Sequence, residues 1–359
     1  TGEGGMSRYH LEGGGALVWN VGTGYFGCGT GTLVRSFDAH MFQDNASKEN
    51  CKMVEIKLSQ GAKPSHGGML PKGKITQDIA EARGLTYPAV EDCNSPPTHS
   101  EFHSPEGLCE FIAKLRELSG GKPVGFKLCV GKPEEFSALI KAMLTTGIAP
   151  DFITIDGAEG GTGAAPPEFS NSVGMPMAEA LTLAHGLLKG AGLRDQVKII
   201  AAGKVLTGFS VVRTLAMGAD VCNSARAMLF ALGCIQSLKC NTNTCPTGIT
   251  TQDPRLMQGL HVPSKADRVA SFQAKTVHVA LEITGALGHP SAHAITGKDI
   301  YRRIRSQGLR NFEEVYPWIT TPDGSLLATP GHVPGGEQKQ GAHPALQSIW
   351  DGGRIVHPM

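Results

Sequence analysis

The chain carries almost no excess charge of either sign. Its 33 Lys and Arg face 32 Asp and Glu, for a net +1, and charged residues are only 18% of the total. So balanced a surface argues against nucleic acid or an anionic membrane as the main partner. No apolar run approaches the roughly 20 residues that span a bilayer, and no secretory signal is visible, so a cytoplasmic protein is expected. There is no initiating Met: the chain opens Thr1-Gly2-Glu3-Gly4-Gly5 inside a Gly-rich stretch, and is expected to be a fragment or a processed piece. A disulfide framework is not expected either, because the 9 cysteines are odd in number and mostly far apart, the reverse of a small disulfide scaffold. Cys28, Cys51, Cys93, Cys109, Cys129 and Cys222 stand alone and read as small buried apolar residues.

What the chain has is glycine, 47 of 359 residues with 40% hydrophobic residues beside them. That is not a disordered composition. It suits an α/β enzyme with tight turns and close approaches of backbone to ligand. Residues 1–31 read as loop and turn, and Met53–Leu58 as the first clear strand. Helices are predicted at Pro105–Leu118, Pro133–Thr146, Pro176–Lys189 and Phe209–Met217, and strands at Pro123–Cys129, Asp151–Asp156, Val197–Ala202 and Asp220–Asn223. Strand and helix alternate with short links, the pattern of a parallel sheet with crossover helices. In Phe152-Ile153-Thr154-Ile155-Asp156 the isoleucines face one side, and Thr154 and Asp156 the other; Glu55-Ile56-Lys57-Leu58 splits the same way. One apolar and one polar face favour a (β/α)8 barrel over a doubly wound sheet, whose strands are apolar on both faces. With five strands legible, the first barrel strand is expected upstream of Thr1. The barrel is expected over 1–255, a helical extension over 256–316 with helices at Val262–Leu287 and Ile300–Leu309, and a Pro- and Gly-rich tail over 317–359.

The sharpest motif is Cys234-x5-Cys240-x4-Cys245-Pro246. Four readings are open: unrelated buried thiols; a structural zinc, which wants a fourth ligand; redox thiols; or an iron–sulfur cluster, whose last Cys ligand is often followed by Pro and for which three ligands suit three irons. Next is Asp156 to Ala165, straight after a strand, where barrels build their active sites. There Gly160, Gly161 and Gly163, with Thr162 between them, allow backbone N–H groups close to a flat or anionic ligand, unless the segment is a plain flexible loop. Gly203-Lys204 and Ser224-Ala225-Arg226 follow the last two strands, where barrels hold phosphate; the plainer reading is two ordinary turns. Lys57 and Lys127 lie mid-strand on the polar face and form a candidate anion site, whereas Lys198 opens its strand and belongs at the barrel floor. His66, His99 and His103 lie in loops after strands and are candidate acid–base groups.

Together these segments resemble the FMN-binding synthase domain of the glutamate synthase family. The matching stretches are Thr1 to Gly5; Ile56-Lys57 through Gln60-Gly61-Ala62-Lys63-Pro64 to Gly67-Gly68 and Leu70-Pro71; Ser95-Pro96-Pro97 with His99; Lys127-Leu128; Gly160 to Ala164; the cysteine spacing; and Asn243-Thr244-Cys245-Pro246-Thr247-Gly248-Ile249 with Thr251-Gln252. The resemblance implies a TIM-type barrel, FMN, and a [3Fe-4S] cluster on Cys234, Cys240 and Cys245 that passes electrons to the flavin. It implies reduction of 2-iminoglutarate, formed from ammonia and 2-oxoglutarate, to glutamate by hydride from reduced FMN. By that analogy Lys127 sits at the flavin and the oxo-acid, with Lys57 and His99 as further catalytic groups. Gly160, Gly161, Thr162 and Gly163 line the ring or substrate, and Gly203, Lys204, Ser224, Ala225 and Arg226 hold the phosphate. An electron donor (ferredoxin or an NAD(P)H reductase subunit) and an ammonia-supplying subunit are the implied partners. The chain departs from the pattern at Ser65-His66-Gly67-Gly68-Met69, where the full-length enzymes read Gly-Glu-Gly-Gly-Gln, and it is expected to be a stand-alone relative without the amidotransferase domain. The alternatives are an N-methylglutamate synthase-like enzyme and a redox or metabolite-binding module that keeps flavin and cluster without synthase activity. A barrel of the IMP dehydrogenase type shares the phosphate loops but needs a cysteine that Ser224-Ala225-Arg226 lacks.

Overall fold

Six parallel strands lie side by side in the order in which the chain makes them: β1 (Leu17–Val21), β2 (Cys51–Lys57), β3 (Val124–Leu128), β4 (Phe152–Asp156), β5 (Lys198–Ala202) and β6 (Val221–Asn223). The computed structural model describes residues 1–31, 35–161 and 163–316; Thr162 and the expected tail over 317–359 lie outside the described residues. The steps between strands contain, in turn, α1 (Ala39–Ala46), α2 (Pro105–Leu118), α3 (Pro133–Thr146), α4 (Met177–Gly190) and α5 (Gly208–Ala216). A doubly wound sheet reverses direction at a switch point; this one never does. Same-handed crossovers that always step the same way put every helix on one face. That face is the core, where Val54, Ile56, Phe126, Ile153, Ile155 and Ile199 pack against Leu108, Ile112, Ile140, Leu183 and Leu187. The opposite face lines a cavity reached by Val18 and Asn20 of β1 and by Asn223 of β6, so the two edge strands border one space and the sheet is curled. These are six strands of a TIM-type barrel.

Local chemistry sets the elements. In α2, Ser104 accepts from Gly107 N–H as N-cap, Pro105 opens the first turn, and Leu108, Phe111, Ile112 and Leu115 are buried at helical spacing. Each such side chain contributes about 2 kcal/mol on burial. α6 (Arg226–Leu232) and α7 (Val262–Ala286) follow β6, and α7 packs on α5 and α6. The 256–316 segment joins the same core through Ala280, Ile295, Ile300, Phe312 and Tyr316.

Three expectations need correction. Residues 17–21 are a strand, not loop: Trp19 and Val21 are fully buried while Val18 and Asn20 face the cavity, an alternation too short to stand out among glycines. The predicted helix at 300–309 is instead a hairpin, β7 (Tyr301–Ile304) with β8 (Gly308–Asn311). Ile300 and Ile304 stand four residues apart, as on one helix face, but Leu309 would fall on the opposite side, and Gly308 at φ +76° marks the returning strand. Cys93 and Cys222 are half-buried rather than buried.

Three buried or partly buried arginines act as fasteners. Arg35 spends all five N–H donors on carbonyls: Nε on Gly24, Nη1 on Gly31 and Gly84, Nη2 on Gly29 and Arg83, at 2.5–3.1 Å. At the floor, Arg194 pairs with Asp220 at 2.7 Å, and the same carboxylate oxygen accepts Ile199 N–H of β5. The motif recurs: Arg116 pairs with Asp151 at 2.9 Å, and Asp151 accepts Val124 N–H of β3. Lys198 is also at the floor, exposed, with Nζ on Asp195 O.

The two clasps differ in exposure, 13% and 24% for Arg194 and Asp220 against 32% and 42% for Arg116 and Asp151. Asp220→Ala is expected to lower the unfolding free energy by about 3 kcal/mol, the scale of stranding one member of a buried pair. Asp151→Ala is expected to cost about 1 kcal/mol, nearer to a surface pair. Urea denaturation of both variants checks the order; equal midpoints would show that burial does not govern these clasps.

Candidate functional site

The polar face of the sheet carries a ladder of compensated charges. β2 and β3 are registered so that Lys57 lies beside Lys127, and Lys127 beside Thr154 of β4. Two ammonium groups side by side need anions. Lys57 Nζ finds Glu3 Oε2 at 2.6 Å, and Lys127 Nζ finds Asp156 Oδ2 at 3.1 Å. Burial pulls the pKa of Lys127 down, but Asp156, Glu55 and Glu3 together more than reverse this, so it stays charged inside the barrel. Glu55 is itself held by Asn20 Nδ2 at 2.6 Å and by the Thr154 hydroxyl at 2.5 Å. Lys63 reaches in from the loop after β2, with Nζ on Gly67 O at 2.7 Å. Glu3, Asn20, Glu55, Lys57, Lys63 and Lys127 border a cavity of about 440 Å³. Fixed ammonium groups there can hold carboxylates, and the glutamates can hold an amine or ammonium.

A second cavity, of about 340 Å³, adjoins the first and shares Gln60, Lys127 and Asn223 with it. Its wall brings together Gly160, Gly161, Gly203, Lys204, Ser224, Ala225 and Arg226, which the sequence had separated by more than 60 residues. Gly203 has φ +139° and Lys204 φ +52°, so the turn after β5 is left-handed at two successive residues. Arg226 lies so close to Gly161 that an added Cβ there would meet Nη2 at 2.1 Å. Lys204 Nζ is on Asn171 Oδ1 at 2.9 Å, and Ser224 Oγ on Val205 O at 2.8 Å. Thr162 lies outside the described residues, and Gly163 is turned to the cysteine loop: a Cβ there would stand 2.6 Å from Cys240 Sγ.

The cysteine loop is tied down by Lys74, whose Nζ donates to Cys240 O at 2.7 Å and Thr250 O at 2.9 Å. Burial would raise the Cys245 pKa, but hydrogen bonds from Thr247 and Thr250 bring it down to about 6. By geometry the Thr247 hydroxyl is the one within hydrogen-bond distance of Cys245 Sγ, at 3.4 Å, while the buried Thr250 hydroxyl has no hydrogen-bond partner. The donor chemistry at Cys245 therefore suits a metal-binding thiolate. Among the described residues, however, no three His, Cys, Asp or Glu side chains are gathered as a metal site.

The histidines stand apart from the cavities. His99 is buried, with Nδ1 on the Tyr25 hydroxyl and Nε2 on Lys57 O, both at 3.0 Å, and stacks on Phe102. It braces the end of β2 rather than facing solvent or ligand. His66 packs edge-on against Phe169 at the surface. The residues that sequence reasoning missed are Glu3, Glu55 and Asn20. The alternating pattern put Glu55 on the inner face, but nothing in the sequence pairs residue 3 with residue 57.

Comparison with known proteins places this geometry. The family description "Conserved region in glutamate synthase" matches residues 1–290. The chain is 44% identical over 319 residues to the glutamate synthase large subunit-like protein YerD of Bacillus subtilis (strain 168), covering 88% of this chain and 59% of that one. It is 33% identical to the archaeal glutamate synthase [NADPH] of Methanocaldococcus jannaschii, covering 87% and 57%. It is also 33% identical to the glutamate synthase [NADPH] large chain of Azospirillum brasilense, covering 74% and 17%. The chain thus spans less than two thirds of the length of these relatives. It belongs to the glutamate synthase family.

The buried histidines give the fold a pH dependence. Burial, the largest influence, lowers His99 to about 4 and His185 to about 3. The unfolded chain, with histidine near 6.5, binds these protons first. Their contribution is fully present above about 6.5 and is lost as pH falls through 6.5 towards 4 and then 3. Unfolding midpoints should fall over that window in wild type, and less steeply in His185→Leu; parallel profiles would show that His185 is already charged in the folded state.

Proposed function

Taking membership of the glutamate synthase family as the premise, we propose that the protein is a cytoplasmic FMN-dependent oxidoreductase that reduces 2-iminoglutarate to glutamate. The observation that carries this reading is the pair of cavities meeting at Lys127, with phosphate-type turns at one end and fixed charges at the other. An elongated ligand with a dianionic end fits such a space. The turn at Gly203-Lys204 and the segment Ser224-Ala225-Arg226 would hold the phosphate, where exposed N–H groups and the guanidinium favour an anion. Gly160 and Gly161 would flank the ligand without side chains to obstruct it. Lys127, kept charged by Asp156, would place a positive charge beside the ring and the substrate. When bound, FMN would supply the hydride that reduces the carbon–nitrogen double bond. Lys57 and Lys63 would take the substrate carboxylates. His99, buried and doubly hydrogen-bonded, would act through the placement of Lys57.

Cys234, Cys240 and Cys245 are proposed as ligands of a [3Fe-4S] cluster. What supports this is their spacing and the thiolate character of Cys245. A ferredoxin or an NAD(P)H reductase subunit would supply electrons, and a separate subunit could supply ammonia. Turnover of 2-oxoglutarate with ammonia, compared with methylamine, distinguishes glutamate formation from N-methylglutamate formation.

Two measurements test the cofactors. Gly203→Val and Arg226→Ala should each weaken FMN binding by about 1–3 kcal/mol, the scale of a blocked donor or a lost charge-assisted bond. Riboflavin, without the phosphate, should bind all three proteins equally poorly. FMN held at wild-type affinity by both variants would place the phosphate elsewhere. For the cluster, Cys240→Ala should remove the bound iron and its broad visible absorbance, and Cys93→Ala should leave both; equal iron in the two variants would end the assignment.

A further inference from the structure

The turn after β4 carries a carboxylate that none of these roles uses. Glu159 stands in the wall of the smaller cavity beside Asp156 and Gly160. Its Oε2 accepts from Met177 N–H at 2.9 Å. Met177 is the first residue of α4, and Pro176 before it offers no side-chain cap. The first N–H groups of a helix have no partner within the helix, and a carboxylate there also gains from the helix dipole. α4 is therefore capped by a residue 18 positions upstream.

The surrounding backbone is built around that contact. A Cβ on Gly157 would come within 2.4 Å of both Glu159 Oε2 and Met177 Cβ. Gly160 N–H donates to Gly157 O at 2.8 Å, which closes the turn. Ala158 ties the turn to the far end of the loop, with its N–H on Met175 O and its carbonyl accepting Asn171 N–H, both at 3.0 Å. Asn171 in turn holds Lys204, so the glycine turn and the turn after β5 share one frame.

We propose that Glu159 is a positioning residue. It fastens the turn bearing Gly160 and Gly161 to the N-terminus of α4, and so sets the shape of the cavity wall and its affinity for the phosphorylated flavin. The anchoring stands on the contacts above; the effect on the ligand rests on the FMN reading. Because an internal carboxylate occupies the N-terminus of α4, the anion is left to the turns at Gly203 and Arg226.

The test uses Glu159→Ala, which removes the acceptor; Glu159→Gln, which keeps an acceptor oxygen without the charge; and Gly157→Ala, which attacks the same contact from the other side. Amide hydrogen exchange of the ligand-free proteins over residues 157–177 is read first. Glu159→Ala and Gly157→Ala should exchange faster there, and Glu159→Gln close to wild type; unchanged exchange in Glu159→Ala overturns the anchoring. FMN titration is read second. Glu159→Ala should bind about tenfold more weakly, the factor that about 1.4 kcal/mol produces, with Glu159→Gln restoring most of the affinity. Faster exchange with unaltered FMN affinity would make Glu159 a structural cap only and overturn the positioning role. Failure of wild type itself to bind FMN would sink the cofactor reading, while the exchange data would still decide the anchor.

Discussion

An ammonium group enclosed by a sheet has to be neutralised from within that sheet. This constraint organises the inner face. Lys127 is stable there because Asp156 lies two residues beyond its registered neighbour Thr154 on β4, and because Glu55 and Glu3 add to the field. Lys57 depends on Glu3 from a segment with no regular structure. The opposite faces of the same strands carry the apolar packing against the helices. The fold separates these two environments by stepping the sheet always in one direction, so that helices cover one face and the other is left for polar chemistry.

How much of this is legible in sequence follows from how local each determinant is. The boundaries of Pro105–Leu118 and Pro133–Thr146 could be read directly, because their starts, N1 prolines and glycines after the end lie within a few residues of them. Leu17–Val21 was hidden because five residues with an inward Asn carry too little pattern. The hairpin over Tyr301–Asn311 is not legible because its strands are four residues each, too short to show an alternating pattern, and only Gly308 marks the return.

The site divides in the same way. The turns at Gly160-Gly161, Gly203-Lys204 and Ser224-Ala225-Arg226 could be found because glycine and position after a strand mark them, and the barrel then brings them together. His99 could be found as a loop histidine but not placed, since its two partners, Tyr25 and Lys57, lie 74 and 42 residues away. Glu159 has the same difficulty: next to three glycines it looks like a solvated loop acid, and only the return of the chain at Met177 shows what it holds.

Arg35 shows what such long-range bonding can replace. Its guanidinium joins Gly24, Gly29 and Gly31 to Arg83 and Gly84, segments about 50 residues apart. A disulfide could staple these segments, but only at a favourable thiol potential. The arginine staple is indifferent to reductants. It also cannot be copied by lysine, whose three donors on one atom cannot span five carbonyls. The chain thus keeps its N-terminal region cross-linked without committing any of its nine cysteines to a disulfide.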